Sequence, residues 1–221
     1  MKKAVIFDMD GVLIDSEPVY LNRFEIFFDH HHIPVNKNDL KKTVGASSKA
    51  TWDIIRKLWP EDISVSRLRE MFYFLSDRFS ISYKDILFPN VIKTLQLLKK
   101  QNYRIALASS SSFSVIHAAL SATDTSDYFD VIVSGEMFKE SKPNPEIYLY
   151  TICQLSLPSH ECIVVEDSVY GIAAAKAAHL DVAAIRDTRF GFNQSNATYL
   201  IDDVAEILDI LKSLNGSLKI S

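Results

Sequence analysis

The chain has 221 residues, 48% hydrophobic and 24% charged, enough to fill a core, and disorder is not its default. Its net charge of −4 argues against nucleic acid as a main partner, since a phosphate backbone calls for a basic surface, yet a small phosphorylated molecule needs only a few local cations. No apolar run is long enough to span a bilayer, Asp8 arrives too soon for a signal peptide, and Cys153 and Cys162 form neither a metal-type pair nor a disulfide framework. The expectation is a cytoplasmic monomer with no membrane partner and two reduced thiols in or near the core.

The predicted elements, in chain order, begin with the apolar run 4–7, which stops at Asp8. Residues 16–89 differ from the rest. They are rich in aromatics and charges, with helical spacing at Phe24, Phe27 and Phe28, at Trp52, Ile55, Leu58 and Trp59, and at Leu68, Met71, Phe72, Leu75 and Phe79. This reads as a helical insert whose return hinge is 86–90. A helix follows over 91–100, with Val91, Leu95 and Leu98 on one face. Run 105–108 stops at Ser109, and run 131–133 at Ser134. A helix over 145–155 opens on Pro145 and Glu146, good first-turn residues. Run 163–165 stops at Glu166-Asp167, and a helix over 171–179 is alanine-rich. Run 182–185 stops at Arg186, and an amphipathic helix over 204–214 closes the domain. Short, unalternating, β-branched runs between helices predict buried strands of a parallel sheet. The fold class is therefore α/β, a doubly wound parallel sheet, with residues 1–15 and 90–221 as core and 16–89 as an inserted helical cap domain. Ligands of such sheets bind beyond the carboxyl ends of the strands, so the residues that end the runs are the ones to inspect.

Each of these residues has an ordinary explanation taken singly. Asp8-Met9-Asp10-Gly11 fits the start of a turn as well as a pair of convergent acids. The run Ser109-Ser110-Ser111-Ser112 fits a helix cap as well as a phosphate cradle of hydroxyls and backbone N–H groups. Lys142, stiffened by Pro143 and Pro145, fits an exposed loop or a cation beside carboxylates. Glu166-Asp167 fits a solvated loop or clustered oxygens around a hard cation. The conjunction of all of them at strand ends in one chain favours the chemical reading. His30-His31-His32 does not favour a metal site, because contiguous helical residues point about 100° apart. Trp52 and Trp59 read as cap core.

The order Asp8-x-Asp10-Gly11, Ser109, Lys142, Glu166-Asp167 resembles the four motifs of the haloacid dehalogenase-like superfamily. The strings 7–18, FDMDGVLIDSEP, and 165–175, VEDSVYGIAAA, are similar to its helical-cap subgroup, which includes β-phosphoglucomutases and phosphoglycolate phosphatases. The resemblance implies Asp8 as nucleophile and Asp10 as general acid and base, with Ser109 and Lys142 neutralising the phosphoryl oxygens. It implies Gly11, Ser110 and Ser111 around the phosphate. Mg²⁺ would be held by Asp8, the backbone carbonyl of Asp10 and Asp167, with Glu166 as an outer or water-mediated ligand. Tyr20, Ser47 and Lys49 are the cap candidates for reading the leaving group. The implied function is a Mg²⁺-dependent phosphatase acting on a small phosphorylated metabolite through an aspartyl-phosphate.

The alternative within the family is a sugar phosphomutase. The β-phosphoglucomutases that the chain resembles carry a histidine where Tyr20 stands, an arginine where Ser48 stands, and lysine and asparagine where Ser112 and Phe113 stand. These departures favour hydrolysis. A phospho-accepting receiver domain would carry its acceptor aspartate on a later strand, and a catalytically dead module would lack some of these residues.

Overall fold

The computed structural model describes residues 1–46, 48–76 and 81–216. The chain divides into two compact units, Met1–Asp15 with Tyr83–Ser221, and Ser16–Ser82. The first unit is built on six strands, β1 (Ala4–Phe7), β2 (Arg104–Ser109), β3 (Val131–Ser134), β4 (Cys162–Glu166), β5 (Asp181–Ile185) and β6 (Tyr199–Ile201). They form one wholly parallel sheet in the order β3-β2-β1-β4-β5-β6. The order runs outward on both sides of β1, so the point where it reverses lies at the end of β1, beside β4.

The apolar runs are unalternating because both faces of the sheet are covered. On one face Val5, Phe7, Ile105, Leu107, Ile163, Val165 and Ala183 pack with residues of α5 (Val91–Lys100), α6 (Phe113–Ala122) and α9 (Ile207–Gly216). On the other face Ala4, Ile6, Ala106, Ala108, Val164, Val182 and Ala184 pack with α7 (Glu146–Leu155) and α8 (Val169–Ala177). Successive residues of each strand go to opposite clusters, as the two-residue period of a strand requires. The alanine-rich helix predicted at 171–179 begins two residues earlier, capped by Ser168, whose Oγ accepts from Gly171 N at 3.0 Å. β6 has no counterpart among the predicted runs. At three residues with Leu200 exposed, it carries too little apolar signal.

The predicted boundary at residue 89 moves. Tyr83, Ile86, Leu87 and Phe88 pack against the first core cluster. Asp15 N donates to Ile86 O at 2.7 Å and Phe88 N to Leu13 O at 2.9 Å, so the returning segment pairs with the outgoing one inside the core unit. Both cysteines are free, as expected, but only Cys162 lies in the core; Cys153 is exposed on α7.

The second unit is helical where it is described, with α1 (Glu17–His30), α2 (Lys37–Leu40), α3 (Ser48–Leu58) and α4 (Val65–Ser76). Its core is aromatic. Phe24, Phe27, Phe28, Trp52, Ile55, Leu68, Phe72 and Leu75 are buried together, with Phe24 and Phe72 rings 4.8 Å apart. The residues singled out by helical spacing are thus the ones that pack, apart from Phe79, which lies outside the described residues. His31 packs against Phe27 and Trp59, with centroids 5.1 and 5.2 Å away.

Candidate active site

The carboxyl ends of β1, β2 and β4 bring the predicted core residues together. Asp8 follows β1 directly, and its N–H continues the pairing by donating to Val165 O at 3.0 Å. The chain then turns. Leu13 N and Ile14 N both reach back to Met9 O, at 2.8 and 3.1 Å, and Gly11 N donates to Ile14 O at 2.8 Å. Gly11 has φ +78°, and a Cβ there would overlap the carboxylate of Asp167. Glycine is needed on both counts, for the left-handed backbone and for the approach of an acid.

Lys142 is the electrostatic centre. It is buried, and its Nζ donates to Asp8 Oδ1 at 2.6 Å, Glu166 Oε1 at 2.7 Å and Ala108 O at 3.0 Å. Its ammonium also lies 5.0 Å from the centre of the Tyr148 ring. Burial disfavours its charge, but Asp8 and Glu166 outweigh burial and hold its pKa well above the ordinary lysine range. Lys142 is therefore a fixed cation. For Asp8 the balance runs the other way. Burial raises its pKa, Lys142 lowers it, and Glu166 and Asp10 raise it again, leaving it at about 7.

Glu166 is fully buried. Its Oε1 accepts from Lys142 and from Tyr148 OH at 2.8 Å. Its Oε2 accepts from Asp167 N at 2.9 Å and from Ser168 N and Oγ, each at 3.1 Å. Burial opposes its charge, yet Lys142 and these hydrogen bonds keep its pKa below the usual carboxylate value. A Cβ on Gly171 would overlap this carboxylate, so α8 can pass beside Glu166 only because residue 171 is glycine.

Asp8, Glu166 and Asp167 each place a carboxylate oxygen within 4.8 Å of the others. An all-oxygen set of this kind suits a hard divalent cation. Glu166 is already committed to five donors, which leaves Asp8 and Asp167 as the better placed ligands. The Asp10 side chain lies outside that acidic group; its Oδ2 accepts from Ser111 Oγ at 2.9 Å.

The serine run forms a braced loop. Ser109 ends β2 and is buried, and its Oγ accepts from Ser111 N at 3.1 Å. Ser134 ends β3 opposite Ser109, and its Oγ donates to Ser111 O at 2.7 Å. Ser110 is exposed. Phe113 N, in the first turn of α6, donates to Glu136 Oε2 at 2.9 Å. Of the cap candidates, Tyr20 is half-buried on α1 in the second unit, Lys49 is exposed on α3 and paired with Asp53 at 3.2 Å, and Ser47 lies outside the described residues.

Tyr148, Ser134 and Glu136 were not anticipated. Tyr148 carried a signal: a tyrosine on an apolar helical face needs a partner for its hydroxyl. Ser134 was noted only as the end of a run.

Residues 5–185 match the family described as haloacid dehalogenase-like hydrolase. A "Phosphorylated carbohydrates phosphatase" of Thermotoga maritima is 30% identical over 218 residues, which cover 96% of this chain and 99% of the relative. "Hexitol phosphatase B" of Escherichia coli is 32% identical over 182 residues, covering 80% of each chain. Among solved structures, a β-phosphoglucomutase of Clostridium difficile shares the fold, with a TM-score of 0.78 at 23% identity over 99% of both chains.

Proposed function

The chain belongs to the haloacid dehalogenase-like hydrolases, and we propose that within them it is a Mg²⁺-dependent phosphatase that hydrolyses a small phosphate monoester through an aspartyl-phosphate on Asp8. The observation that carries this reading is the placement of Asp8 at the switch point of the sheet, with a buried, permanently charged lysine 2.6 Å from its carboxylate. A carboxylate so placed can attack phosphorus while Lys142 balances the charge gathering on the phosphoryl oxygens.

In the first step an Asp8 oxygen bonds to phosphorus, the bond to the leaving alcohol breaks, and Asp10 gives that oxygen its proton. Water then attacks the aspartyl-phosphate, Asp10 takes the proton, and phosphate departs as Asp8 regains its charge. Ser111 holds Asp10 for both transfers. Ser109, Ser110 and backbone N–H groups of their loop receive the phosphoryl oxygens. Asp8, the backbone carbonyl of Asp10 and Asp167 would hold Mg²⁺, which would supply further positive charge for those oxygens. Glu166 serves behind them by fixing Lys142. Tyr20, Ser47 and Lys49 remain candidates for reading the leaving group, tested through relative kcat/KM across substrates.

The names of the phosphatase relatives make phosphorylated sugars and sugar alcohols the first substrates to try. Hydrolysis over mutase chemistry is supported by Glu136, whose carboxylate occupies Phe113 N at the start of α6 and disfavours a second phosphate there. Two measurements test the reading. Borohydride added to an acid-quenched turnover mixture should convert residue 8 to homoserine, detected by mass. Incubation with β-glucose 1-phosphate, Mg²⁺ and a trace of the bisphosphate should release phosphate faster than it forms glucose 6-phosphate. An unmodified Asp8 with full turnover, or the opposite product ratio, would overturn it.

A further inference from the structure

Gln194, in the loop between β5 and β6, is a buried amide with every polar function matched. Its Nε2 donates to two carbonyls, Asp167 O at 2.6 Å and Ile185 O at 2.7 Å. Its Oε1 accepts from Asp187 N at 2.9 Å. The assignment of nitrogen and oxygen follows from the partners, since both contacts of Nε2 are acceptors and the contact of Oε1 is a donor. One side chain thus ties the segment after β4, the end of β5 and the following loop.

The Asp167 contact matters most. Asp167 N–H is held by Glu166 Oε2 at 2.9 Å, and Asp167 C=O is held by Gln194. The peptide groups on both sides of this acid are therefore fixed by side chains. Its carboxylate lies against Gly11, where a Cβ would not fit. A carboxylate can hold a cation at a set position only if its own backbone cannot rotate, and groups behind a metal ligand commonly control affinity in this way.

The loop that carries Gln194 is itself built for rigidity. Asp187 Oδ1 accepts from Arg189 N at 2.8 Å and Phe190 N at 2.9 Å, and its Oδ2 accepts from Phe192 N at 2.6 Å. Arg189 in turn makes a two-pronged ion pair with Asp15, at 2.8 and 3.0 Å. The amide is delivered to Asp167 from a loop whose backbone is bonded at several points.

We propose that Gln194 is a positioning residue that pins the peptide carbonyl of Asp167 and thereby sets how tightly the acidic cluster holds a divalent cation. The inference rests on the reading of Asp8 and Asp167 as cation ligands. It names a residue outside the four motifs, in a loop that supplies no carboxylate to the acidic group of Asp8, Glu166 and Asp167.

Gln194→Met keeps the length and removes the hydrogen bonds. Gln194→Glu keeps the acceptor for Asp187 N and presents a carboxylate to two carbonyls. Mg²⁺ is titrated calorimetrically into metal-free protein, kcat and KM are measured at saturating Mg²⁺, and melting is followed in chelator. Both variants should bind Mg²⁺ at least about tenfold more weakly, with kcat at saturation within about threefold of wild type. A loop latch without influence on the cation would lower melting in chelator while leaving the Mg²⁺ dissociation constant unchanged, and that result overturns the proposal. If wild type and Asp167→Ala bind Mg²⁺ equally, the ligand assignment has failed and the proposal falls with it. Should Gln194→Met not fold, Gln194→Glu decides the question by the same readings.

Discussion

Lys142 Nζ lies 2.7 Å from Glu166 Oε1, and both residues are buried. The pair is two-thirds of a triad, since the same ammonium is 2.6 Å from Asp8 Oδ1. Glu166 thus gives Lys142 a second carboxylate that helps keep it charged and aimed. Glu166→Gln should lower kcat by one to two orders of magnitude, because the remaining amide cannot compensate a buried ammonium. Its cost to folding should fall below the ~3–5 kcal/mol expected when a buried ion pair loses one partner outright, since Asp8 and Ala108 still accept from Lys142. Tyr148→Phe removes only one hydrogen bond to the same oxygen and should cost about 1 kcal/mol with a small loss of rate. Denaturant melts and kcat for both variants check the order. Equal effects would show that Glu166 does not anchor the lysine.

Gly171→Ala is the second test. In an ordinary helix this change favours folding by about 1 kcal/mol. Here the new methyl meets the Glu166 carboxylate, and forcing atoms into a filled site costs roughly 1–3 kcal/mol. The net effect should be a lower melting temperature together with reduced kcat, as Glu166 is pushed off Lys142. An alanine that left both unchanged would mean that the carboxylate has room to move.

The third concerns Asp8 and pH in metal-free protein. Its folded pKa is raised to about 7 from 3.8, so the stabilising protonated form is fully present below pH 3.8 and is lost as pH rises through about 7. Asn cannot ionise. Asp8→Asn should therefore raise the melting temperature in chelator at pH 8, and the gain should shrink as pH falls toward 4, while turnover drops by several orders of magnitude. A gain independent of pH would separate the effect from ionisation of this carboxylate.

The fourth separates acid–base work from positioning. Asp10→Asn should reduce kcat by about 10²–10⁴. Ser111→Ala removes the hydroxyl 2.9 Å from Asp10 Oδ2 and should cost about tenfold or less, with KM little changed. The ratio of the two losses is measured with one substrate at saturating Mg²⁺. A Ser111→Ala loss as large as that of Asp10→Asn would make the serine a direct participant.

The chain's own pattern determined a good deal. Unalternating runs such as 4–7 and 163–165 announce strands covered on both faces, because only a strand with no solvated side has no use for alternation. The polar residues that stop such runs, Asp8, Ser109 and Glu166, then had to lie at one edge of the sheet, since parallel strands all end on the same side. The aromatic spacing at Phe24, Phe27 and Phe28 likewise named a helical face that would be buried. What the sequence could not decide is which loops arrive at that edge and in what order. Lys142 and Asp8 are 134 residues apart, and only the placement of β1 between β2 and β4 brings the loop after β3 to both Asp8 and Glu166. Tyr148, Ser134 and Gln194 act through single hydrogen bonds or pairs of them to groups on other elements. Periodicity reports burial along one element and carries no information about the partner across the gap. The tertiary structure alone decided that Glu166 is spent on Lys142, Tyr148 and the backbone after it, because a buried carboxylate must satisfy both oxygens where it stands.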